Sequence, residues 1–479
     1  MVITCRNAVD LIPDYLSASI SASAAVPFGT HINCCADCAA ILRTYRKTIE
    51  LTRSFLHRQD LALRPNGNFS CHESGSDSFQ HPLIGKQHLI QDGSTIDKCR
   101  PGHGKGDHFM RAIAVTPAEK KIGIIDLPEP AISSPTDVKL RMIEAGVCGT
   151  DKEICAFEYG TPPLGSSDLV IGHESLGEVI EVGAKVTRVK VGDLVVPMVR
   201  RPCPHDYCPA CRSGHQDFCF TGDFTERGIK GRHGFMAQFV VDDERYMNPV
   251  PRDLRTVAVL VEPLTIAEKA LIQVWDVQQR LPWNCPVTPG KAHAHCHRAI
   301  VLGAGPVGLL GAMALVKSGF DTYVYAREPV PNPKADVVKN IGGHYFSAET
   351  HSLEALAAQV GNVDLVYEAT GASHLAFDMI QHLGTNGIFV FTGVPGRKGP
   401  VEVDTDLMMR NLVLKNQVVF GTVNAGRDAF EASIRDIGAF LDSWPDAVQA
   451  LITGRFPMEA HRDLLLGRSG GIKNVITLN

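Results

Sequence analysis

Four cysteines close together are the feature that most constrains the fold of this chain. They follow the spacing C-x4-C-x2-C-x7-C and are Cys203, Cys208, Cys211 and Cys219. This spacing lets one short loop bring four thiolates around a single ion, and zinc takes sulfur ligands tetrahedrally at about 2.3 Å. A zinc ion with four protein ligands is structural rather than catalytic. Two disulfides or free buried thiols are the alternatives, which we disfavour because nothing else in the chain suggests an oxidising compartment.

Length and composition are those of a soluble globular protein. The chain has 479 residues, of which 44% are hydrophobic and 21% charged, enough for two or three domains. Its net charge of −5 gives no reason to expect nucleic acid or an anionic membrane as a partner. No apolar run approaches the roughly 20 residues that span a bilayer. Asp10, Pro13 and Asp14 interrupt the N-terminus early, unlike a secretory signal. We therefore expect a cytoplasmic protein with reduced thiols.

Residues 1–109 read differently from the rest. They carry six of the 14 cysteines and include stretches without helical or strand periodicity. A helix is predicted over Ile41–His57 from its apolar spacing. Cys34, Cys35 and Cys38 are weak metal candidates, because no second pair lies at zinc-finger spacing. We expect residues 1–109 to be an extension outside the fold, either disordered or a gene-call artefact.

The remaining chain divides by its strand pattern. Short strands broken by glycine and proline over residues 110–265 predict a β barrel. Strands that alternate with helices over 266–425 predict a doubly wound parallel sheet. Residues 426–479 add a helix and a closing strand that returns to the first domain. A proline- and histidine-rich connector, 281–297, looks like an inserted solvated linker; its His293, His295, Cys296 and His297 are the alternative, an adventitious metal site.

A glycine-rich loop predicts dinucleotide binding. Gly303, Gly305 and Gly308 form G-x-G-x-x-G between an apolar strand and a helix, which lets a pyrophosphate sit on the helix N-terminus. At the tip of the next strand stand Arg327 and Glu328. An arginine accommodates a 2′-phosphate and an acid binds a 2′-hydroxyl, so the position of Arg327 favours NADP over NAD. The alternative is that Arg327 is a solvated surface charge.

A second metal centre is predicted upstream. Catalytic zinc takes about three protein ligands and keeps one position open. Cys148, His173 and a carboxylate from Glu174 or Glu262 meet that need, although a lone cysteine or histidine is more often a core residue. Thr150 is placed to relay a proton from the reacting oxygen, with a simple turn residue as the alternative.

These motifs, together with Arg200–Cys203, Thr221–Gly231 and Gly421–Ala425, carry a family resemblance. Residues 110–479 resemble the zinc-dependent medium-chain alcohol dehydrogenases, and within them the archaeal-type glucose 1-dehydrogenases. The resemblance implies a GroES-like β-barrel catalytic domain over 110–265 and a Rossmann domain over 266–425. It also implies oxidation of an aldose, D-glucose above all, at C1 to the lactone. Two zinc ions per chain, one catalytic and one structural, and NADP, with NAD possible, would be the cofactors.

The resemblance assigns the site residues. It places Cys148, His173, Glu174 and Glu262 around the catalytic zinc, and Thr150, Glu226, Glu262 and Asn424 on the sugar. The cofactor contacts it implies are Gly303, Ala304, Gly305, Pro306, Val307, Gly308, Tyr325, Ala326, Arg327, Phe391, Thr392, Gly393, Thr422, Val423 and Asn424. Ile266 departs from the family, because some relatives have an acid there that contacts the sugar.

Two other functions compete with this interpretation. One is a sorbitol- or threonine-type dehydrogenase of the same superfamily, against which Glu226 and the segment ending at Asn424 argue. The other is a non-catalytic nucleotide-binding protein, which would hold only the structural zinc. The partner we expect is a small sugar, with no nucleic acid and no membrane, and the resemblance suggests a dimer or tetramer of identical chains.

Overall fold

The structure, a computed structural model, describes most of the chain after residue 107. The described ranges are 108–396, 399–467 and 470–478, with scattered positions between 11 and 42. The chain forms two compact units, Met1–Cys99 and Arg100–Asn479. No helix among the described residues is both long and apolar enough to cross a membrane.

The described part of the first unit contains a small apolar cluster. Ile12, Phe28 and Leu42 are buried together. The helix predicted over Ile41–His57 lies outside the described residues except for Leu42, and so do Cys34 and Cys38. The N-terminal predictions therefore stay predictions.

The second unit begins with short strands, as its glycine- and proline-broken pattern predicts. These strands are β1 (Phe109–Thr116), β2 (Lys121–Pro128), β3 (Asp137–Gly146), β4 (Leu169–Val170), β5 (Glu174–Val182), β6 (Leu194–Pro197), β7 (Arg200–Arg201), β8 (Thr225–Arg227), β9 (Gly231–Arg232), β10 (Phe239–Asp243) and β11 (Met247–Val250). One sheet has the order β2-β1-β4 and another the order β7-β8-β9.

A parallel sheet follows, and its strands are β12 (Arg298–Leu302), β13 (Asp321–Ala326), β14 (His344–Ser347), β15 (Leu365–Glu368), β16 (Ile388–Phe391) and β17 (Val418–Gly421). Their order is β14-β13-β12-β15-β16-β17, and each neighbouring pair is parallel. The strand order reverses between β12 and β15, which is where α/β sheets bind ligands at the carboxyl ends of their strands. The predicted doubly wound sheet is confirmed.

The C-terminal strands join the first domain. β18 (Ile452–Pro457) and β19 (Lys473–Thr477) complete a sheet of order β11-β6-β5-β3-β19-β18, to which β10 adds by pairing with β3. Because β19 lies beside β3, the last residues of the chain reach the segment that carries Cys148.

Helices lie in both domains, and most of them belong to the domain of the parallel sheet. They are α1 (Gly149–Cys155), α2 (Pro209–Arg212), α3 (Val261–Gln278), α4 (Pro306–Ser318), α5 (Pro333–Asn340), α6 (Leu353–Val360), α7 (Ser373–Ile380), α8 (Thr405–Leu414), α9 (Arg427–Ser443), α10 (Pro445–Leu451) and α11 (His461–Leu465). α3 runs across residue 265, the predicted domain boundary, so one continuous helix joins the barrel to the parallel sheet. Leu264 on α3 and Phe430 and Phe440 on α9 are buried in one shared apolar core.

The connector 281–297 is largely exposed, as the prediction of a solvated linker requires, but three of its residues are packed against the domain. Trp283, Ala294 and His297 are buried, and the Trp283 ring lies 5.0 Å from that of Trp275 on α3. The structure also joins Cys285 to Cys296 by a disulfide, so the expectation of reduced thiols fails for this pair. The proline- and histidine-rich composition of the connector gave no sign that Trp283 packs against Trp275 of α3.

Candidate active site

The register of the sheet brings the two halves of the predicted metal centre together. β3 and β5 are antiparallel, and Gly146 at the end of β3 pairs with Glu174 at the start of β5. The residues beyond these ends, Cys148 and His173, therefore meet at the same edge. One ligand atom from each of Cys148, His173 and Glu174 lies within 4.8 Å of the others. The cluster contains the sulfur, nitrogen and oxygen donors expected of a catalytic zinc.

Gly146 is required by this close approach. A Cβ at this position would lie 2.2 Å from Glu174 Oε2. Any larger residue at 146 would push the carboxylate away from Cys148.

Asp151 holds both ligand-bearing segments, a role that the sequence did not reveal. Its Oδ2 accepts from the backbone N–H of Cys148 (2.9 Å) and its Oδ1 from that of Gly172 (3.2 Å). The same Oδ1 lies 3.4 Å from His173 Nδ1. Asp151 is fully buried, and its place one helical turn after Cys148 was the available signal.

The electrostatics of the cluster favour a cation. Burial alone would lower the pKa of His173, but the charges of Asp151 and Cys148 outweigh it and raise the pKa well above its usual value. His173 Nδ1 is buried without a hydrogen bond. The donor types and this attraction for positive charge both fit a zinc ion.

Glu174 is shared with a lysine from the end of the chain. Lys473 Nζ donates to both carboxylate oxygens of Glu174, at 2.6 and 2.8 Å, and to the carbonyl of Val147 at 3.2 Å. Both side chains are buried. Lys473 therefore holds Glu174 beside Cys148, and nothing in the sequence alone could link residues 299 positions apart.

Glu262 and Thr150 lie at the margin of this cluster. Glu262 is buried in the first turn of α3, outside the three residues whose ligand atoms come together. Burial, together with the charges of Glu174 and Asp151, raises its pKa to about 7 against the opposing effect of His173 and Lys473. Thr150 is half-buried in the first turn of α1, next to Cys148.

The structure brings two predicted sugar residues into direct contact. Asn424 Nδ2 donates to Glu226 Oε1 at 2.9 Å. Glu226 is on β8 of the barrel, whereas Asn424 follows β17 of the parallel sheet in the left-handed conformation, with φ 59°. The contact therefore spans the two domains.

Arg200 holds this pair in place, a role that the sequence motif Arg200–Cys203 did not reveal. Its Nε and Nη2 donate to Glu226 Oε1 at 3.0 and 2.9 Å, and its guanidinium stacks on the Phe224 ring at 3.7 Å. Arg200 Nη1 donates to the carbonyl of Asp217. Both bonds from the guanidinium end on the same buried oxygen, so Arg200 and Asn424 together hold Glu226 Oε1 in place.

A buried ion pair continues this network to α3. Lys269 Nζ lies 2.7 Å from Asp217 Oδ2 and donates to the carbonyl of Val423 at 3.0 Å. Lys269 thus ties the cysteine lobe to the loop that carries Asn424.

The four-cysteine lobe has the geometry of a metal site. The sulfur atoms of Cys203, Cys208, Cys211 and Cys219 all lie within 4.8 Å of one another, and all four thiols are free of disulfides. Burial would raise the pKa of Cys219, but hydrogen bonds from Thr221, Cys211 and the backbone lower it to about 6. Burial and the other thiols raise the pKa of Cys211 to about 12, so the cluster shares protons that a zinc ion would displace on binding.

The nucleotide loop has the required close contacts. Gly303 adopts φ 104°, and a Cβ on Gly308 would lie 2.1 Å from the carbonyl oxygen of Gly303. Only glycine fits at both positions, and Gly308 lies in the first turn of α4, which begins at Pro306. The segments 325–327, 391–393 and 422–424 stand at or just past the carboxyl ends of β13, β16 and β17. The structure therefore gathers all the predicted cofactor segments at one edge.

At the tip of β13, no ion pair joins Arg327 to Glu328 among the described residues. Arg327 is exposed, and Glu328 forms an ion pair with Lys334 on α5. Burial would raise the pKa of Glu328, but the hydrogen bond and charge of Lys334 lower it, and the charge of Arg327 contributes to the lowered pKa.

Comparison with known proteins identifies the family. The family described as "Alcohol dehydrogenase GroES-like domain" matches residues 134–252, and "Glucose dehydrogenase C-terminus" matches residues 255–478. Relatives named glucose 1-dehydrogenase are more than 30% identical and are covered almost completely. The chain belongs to the glucose 1-dehydrogenase family of zinc-dependent medium-chain dehydrogenases. The family and the fold class predicted from the sequence are thus confirmed.

Members of this glucose 1-dehydrogenase family align over the second unit. The protein from Methanocella arvoryzae is 38% identical over 370 residues, 77% of this chain and 99% of the relative. The protein from Thermoproteus tenax is 38% identical over 373 residues, with the same shares. A solved structure, glucose dehydrogenase from Haloferax mediterranei in complex with NADP, Zn and gluconolactone, has a TM-score of 0.69 at 31% identity and covers 77% of this chain and 99% of its own.

Proposed function

We propose that this protein oxidises an aldose, D-glucose above all, at C1 to the lactone, with zinc and NADP as cofactors. The observation that carries the proposal is the Cys148, His173 and Glu174 cluster, within a chain whose relatives are named glucose 1-dehydrogenase. The related Haloferax mediterranei enzyme was solved with NADP, Zn and gluconolactone, which matches the proposed cofactors and product.

Different residues of the chain would bind the metal, position its ligands and transfer the proton. When bound, zinc supplies Lewis acidity at the substrate oxygen and the nicotinamide supplies the hydride acceptor. Cys148, His173 and Glu174 would hold the ion, while Asp151 and Lys473 keep these ligands in place. Thr150 takes up the proton of the 1-hydroxyl and relays it outwards, so the substrate loses one proton and one hydride.

Sugar recognition falls to the contact between the two domains. Glu226 and Asn424 each offer polar atoms fixed by the Arg200 network, and Glu262 adds a buried carboxyl. A site built from fixed donors and acceptors rejects substrates that lack the matching hydroxyls, because its buried groups would then stay unpaired. Ile266 removes one such contact compared with relatives that have an acid there.

The side chains at the end of β13 support a preference for NADP over NAD. Arg327 is exposed and able to bind a 2′-phosphate, whereas Glu328, which would favour a 2′-hydroxyl, is engaged by Lys334. The other cofactor segments, at 303–308, 391–393 and 422–424, complete the proposed site.

A homo-oligomer is part of the proposal, and two features support it. β17 is the edge strand of the parallel sheet, so its outer backbone groups are free to pair with another strand. Beside it in the chain, α8 exposes Met409, Val413 and Leu414 at 65%, 69% and 68%. Two copies related by a two-fold axis would cover both features.

Turnover on a panel of substrates with both cofactors tests the proposed function. Glucose, galactose, xylose, sorbitol and threonine are compared at equal concentration with NADP and with NAD. We expect the aldoses to react faster than sorbitol or threonine and NADP to be preferred. Faster oxidation of sorbitol or threonine would assign the protein to the other branch of the superfamily, and no turnover with any of them would favour the non-catalytic function.

A further inference from the structure

The connector 281–297 gathers a second set of soft donors, away from the candidate active site. Cys285 and Cys296 are joined by a disulfide, and their sulfur atoms lie within 4.8 Å of one imidazole nitrogen of His297. The three residues stand between the end of α3 and the start of β12, and the proposed function uses none of them. If the disulfide is reduced, the two thiols and the histidine form a ligand set that zinc accepts.

His297 is prepared to act as a ligand. Its Nε2 lies 2.6 Å from the carbonyl oxygen of Trp283. A carbonyl can only accept, so Nε2 carries the hydrogen and Nδ1 keeps the lone pair. Metal-binding histidines commonly donate their second nitrogen to a backbone carbonyl in this way. The ring also stacks on Trp283 at 4.2 Å and is buried, so its direction is fixed.

The surroundings of Nδ1 favour positive charge. Asp364 Oδ1 lies 3.7 Å from His297 Nδ1. The carboxylate is held there, because it also accepts from the backbone N–H of Arg298 (2.9 Å) and from Asn362 Nδ2 (2.8 Å). A carboxylate facing an imidazole lone pair is repelled unless a proton or a cation lies near them.

Residues 294–297 of the connector are held by contacts other than the disulfide. Ala294 is fully buried and its N–H donates to the carbonyl of Ser318 at 3.1 Å. The carbonyl of His297 accepts from the N–H of Asp321 at 2.9 Å. The connector therefore stays attached to α4 and β13 when the two sulfur atoms separate.

We propose that reduction of the Cys285–Cys296 disulfide opens a site for one soft divalent cation such as Zn²⁺. The ligands are the two thiolates and His297 Nδ1, and water fills the fourth position because Cys296 is exposed. A dithiol reductant supplies two electrons and two protons to the disulfide and becomes a cyclic disulfide itself. Zinc binding then displaces the two thiol protons. Sulfur ligands of one tetrahedral zinc lie roughly 3.7 Å apart, a separation that side-chain rotation provides.

Zinc content in two redox states tests the proposal. Full-length protein is prepared oxidised or reduced with a dithiol, freed of reductant without air, loaded with zinc and freed of excess metal. We expect the reduced protein to hold one more zinc per chain than the oxidised protein. With Co²⁺ in place of zinc, the same step should strengthen the thiolate-to-metal charge-transfer band.

Variants locate the additional ion. Cys285→Ser should abolish the increment, and His297→Gln should weaken its affinity at least about tenfold. His295→Ala, two residues from His297, should keep the increment. Cys148→Ala should also keep it, which separates this site from the proposed catalytic one. Equal zinc content in the two redox states, or an increment that survives Cys285→Ser, would overturn the proposal.

Discussion

At the scale of single residues, the candidate site depends on side chains that never touch the substrate. Asp151 joins the backbone of Cys148 to that of Gly172, and Lys473 holds Glu174 from the other end of the chain. Such supporting contacts orient metal ligands and raise their affinity for the ion. Their removal should therefore affect the metal and the reaction together.

Asp151→Asn tests the supporting contacts. We expect zinc affinity and kcat to fall by about 10–100-fold each, because the amide keeps the shape but loses the charge facing His173. Zinc titration and steady-state kinetics with glucose measure the two effects. The matched control is Asp168→Asn, at a carboxylate that accepts hydrogen bonds from Thr116 and Ser167. It should change neither zinc affinity nor kcat. Unaltered zinc affinity in Asp151→Asn would contradict the assignment.

Arg327→Ala tests the cofactor preference. A charge-assisted hydrogen bond is worth about 1.5–3 kcal/mol, so we expect kcat/KM for NADP to fall by about 10–100-fold while that for NAD stays nearly the same. Binding of adenosine 2′,5′-bisphosphate should weaken by a similar factor, which reports the contact without turnover. Equal losses with both cofactors would show that Arg327 does not bind the 2′-phosphate.

At the scale of elements, the helix α3 couples the barrel to the parallel sheet. It begins at the candidate site with Glu262 and packs against α9 along its length. Glu268 in its middle is buried, and burial together with the charge of Asp436 on α9 raises its pKa to about 8. This helix pair therefore contains a carboxyl group that folding keeps protonated.

The pH dependence of stability should show this group. A carboxyl whose pKa is raised on folding stabilises the protein at low pH, and this stability is lost as the pH rises from about 4.5 to about 8. Glu268→Gln removes the cost of burying the ionised carboxylate, so its free energy of unfolding should exceed that of wild type by up to about 5 kcal/mol at pH 9 and nearly match it at pH 4.5. Denaturant unfolding at both pH values measures the difference. A variant less stable than wild type at pH 9 would contradict the prediction.

The sequence predicted the elements formed by local signals but not the contacts between distant elements. Local signals placed the barrel strands, the glycine loop and the parallel sheet, because apolar periodicity and glycine positions depend on near neighbours. The roles of Lys473 and Arg200 could not be found, since their partners are brought near by sheet pairing and loop packing. The prediction of a solvated linker missed the buried residues Trp283 and Ala294, because the composition of the connector is polar.

At the scale of the whole molecule, the proposed substrate site lies where two domains meet. Glu226 belongs to the barrel and Asn424 to the parallel sheet, and Lys269 ties the cysteine lobe to the same loop. Any relative movement of the domains would separate the two sugar contacts. The fixed arrangement of the domains is thus part of the proposed specificity.

Asn424→Ala tests this link. Loss of one hydrogen bond to a neutral sugar hydroxyl, worth about 0.5–1.5 kcal/mol, should raise KM for glucose by about 2–10-fold. The zinc content should stay at the wild-type value, because Asn424 lies outside both predicted zinc clusters. Kinetics and metal analysis of one preparation give both results. An unchanged KM would remove Asn424 from the sugar site.

The zinc content and glucose turnover of Cys148→Ala, compared with wild type under the same redox conditions, test the account most directly. The account predicts the loss of one zinc per chain and of all measurable turnover, with the zinc of the four-cysteine lobe retained. Cys155→Ala, at the buried cysteine that ends α1 and lies outside the ligand cluster, should keep both zinc and activity. Glucose oxidation that persists in Cys148→Ala would contradict the account.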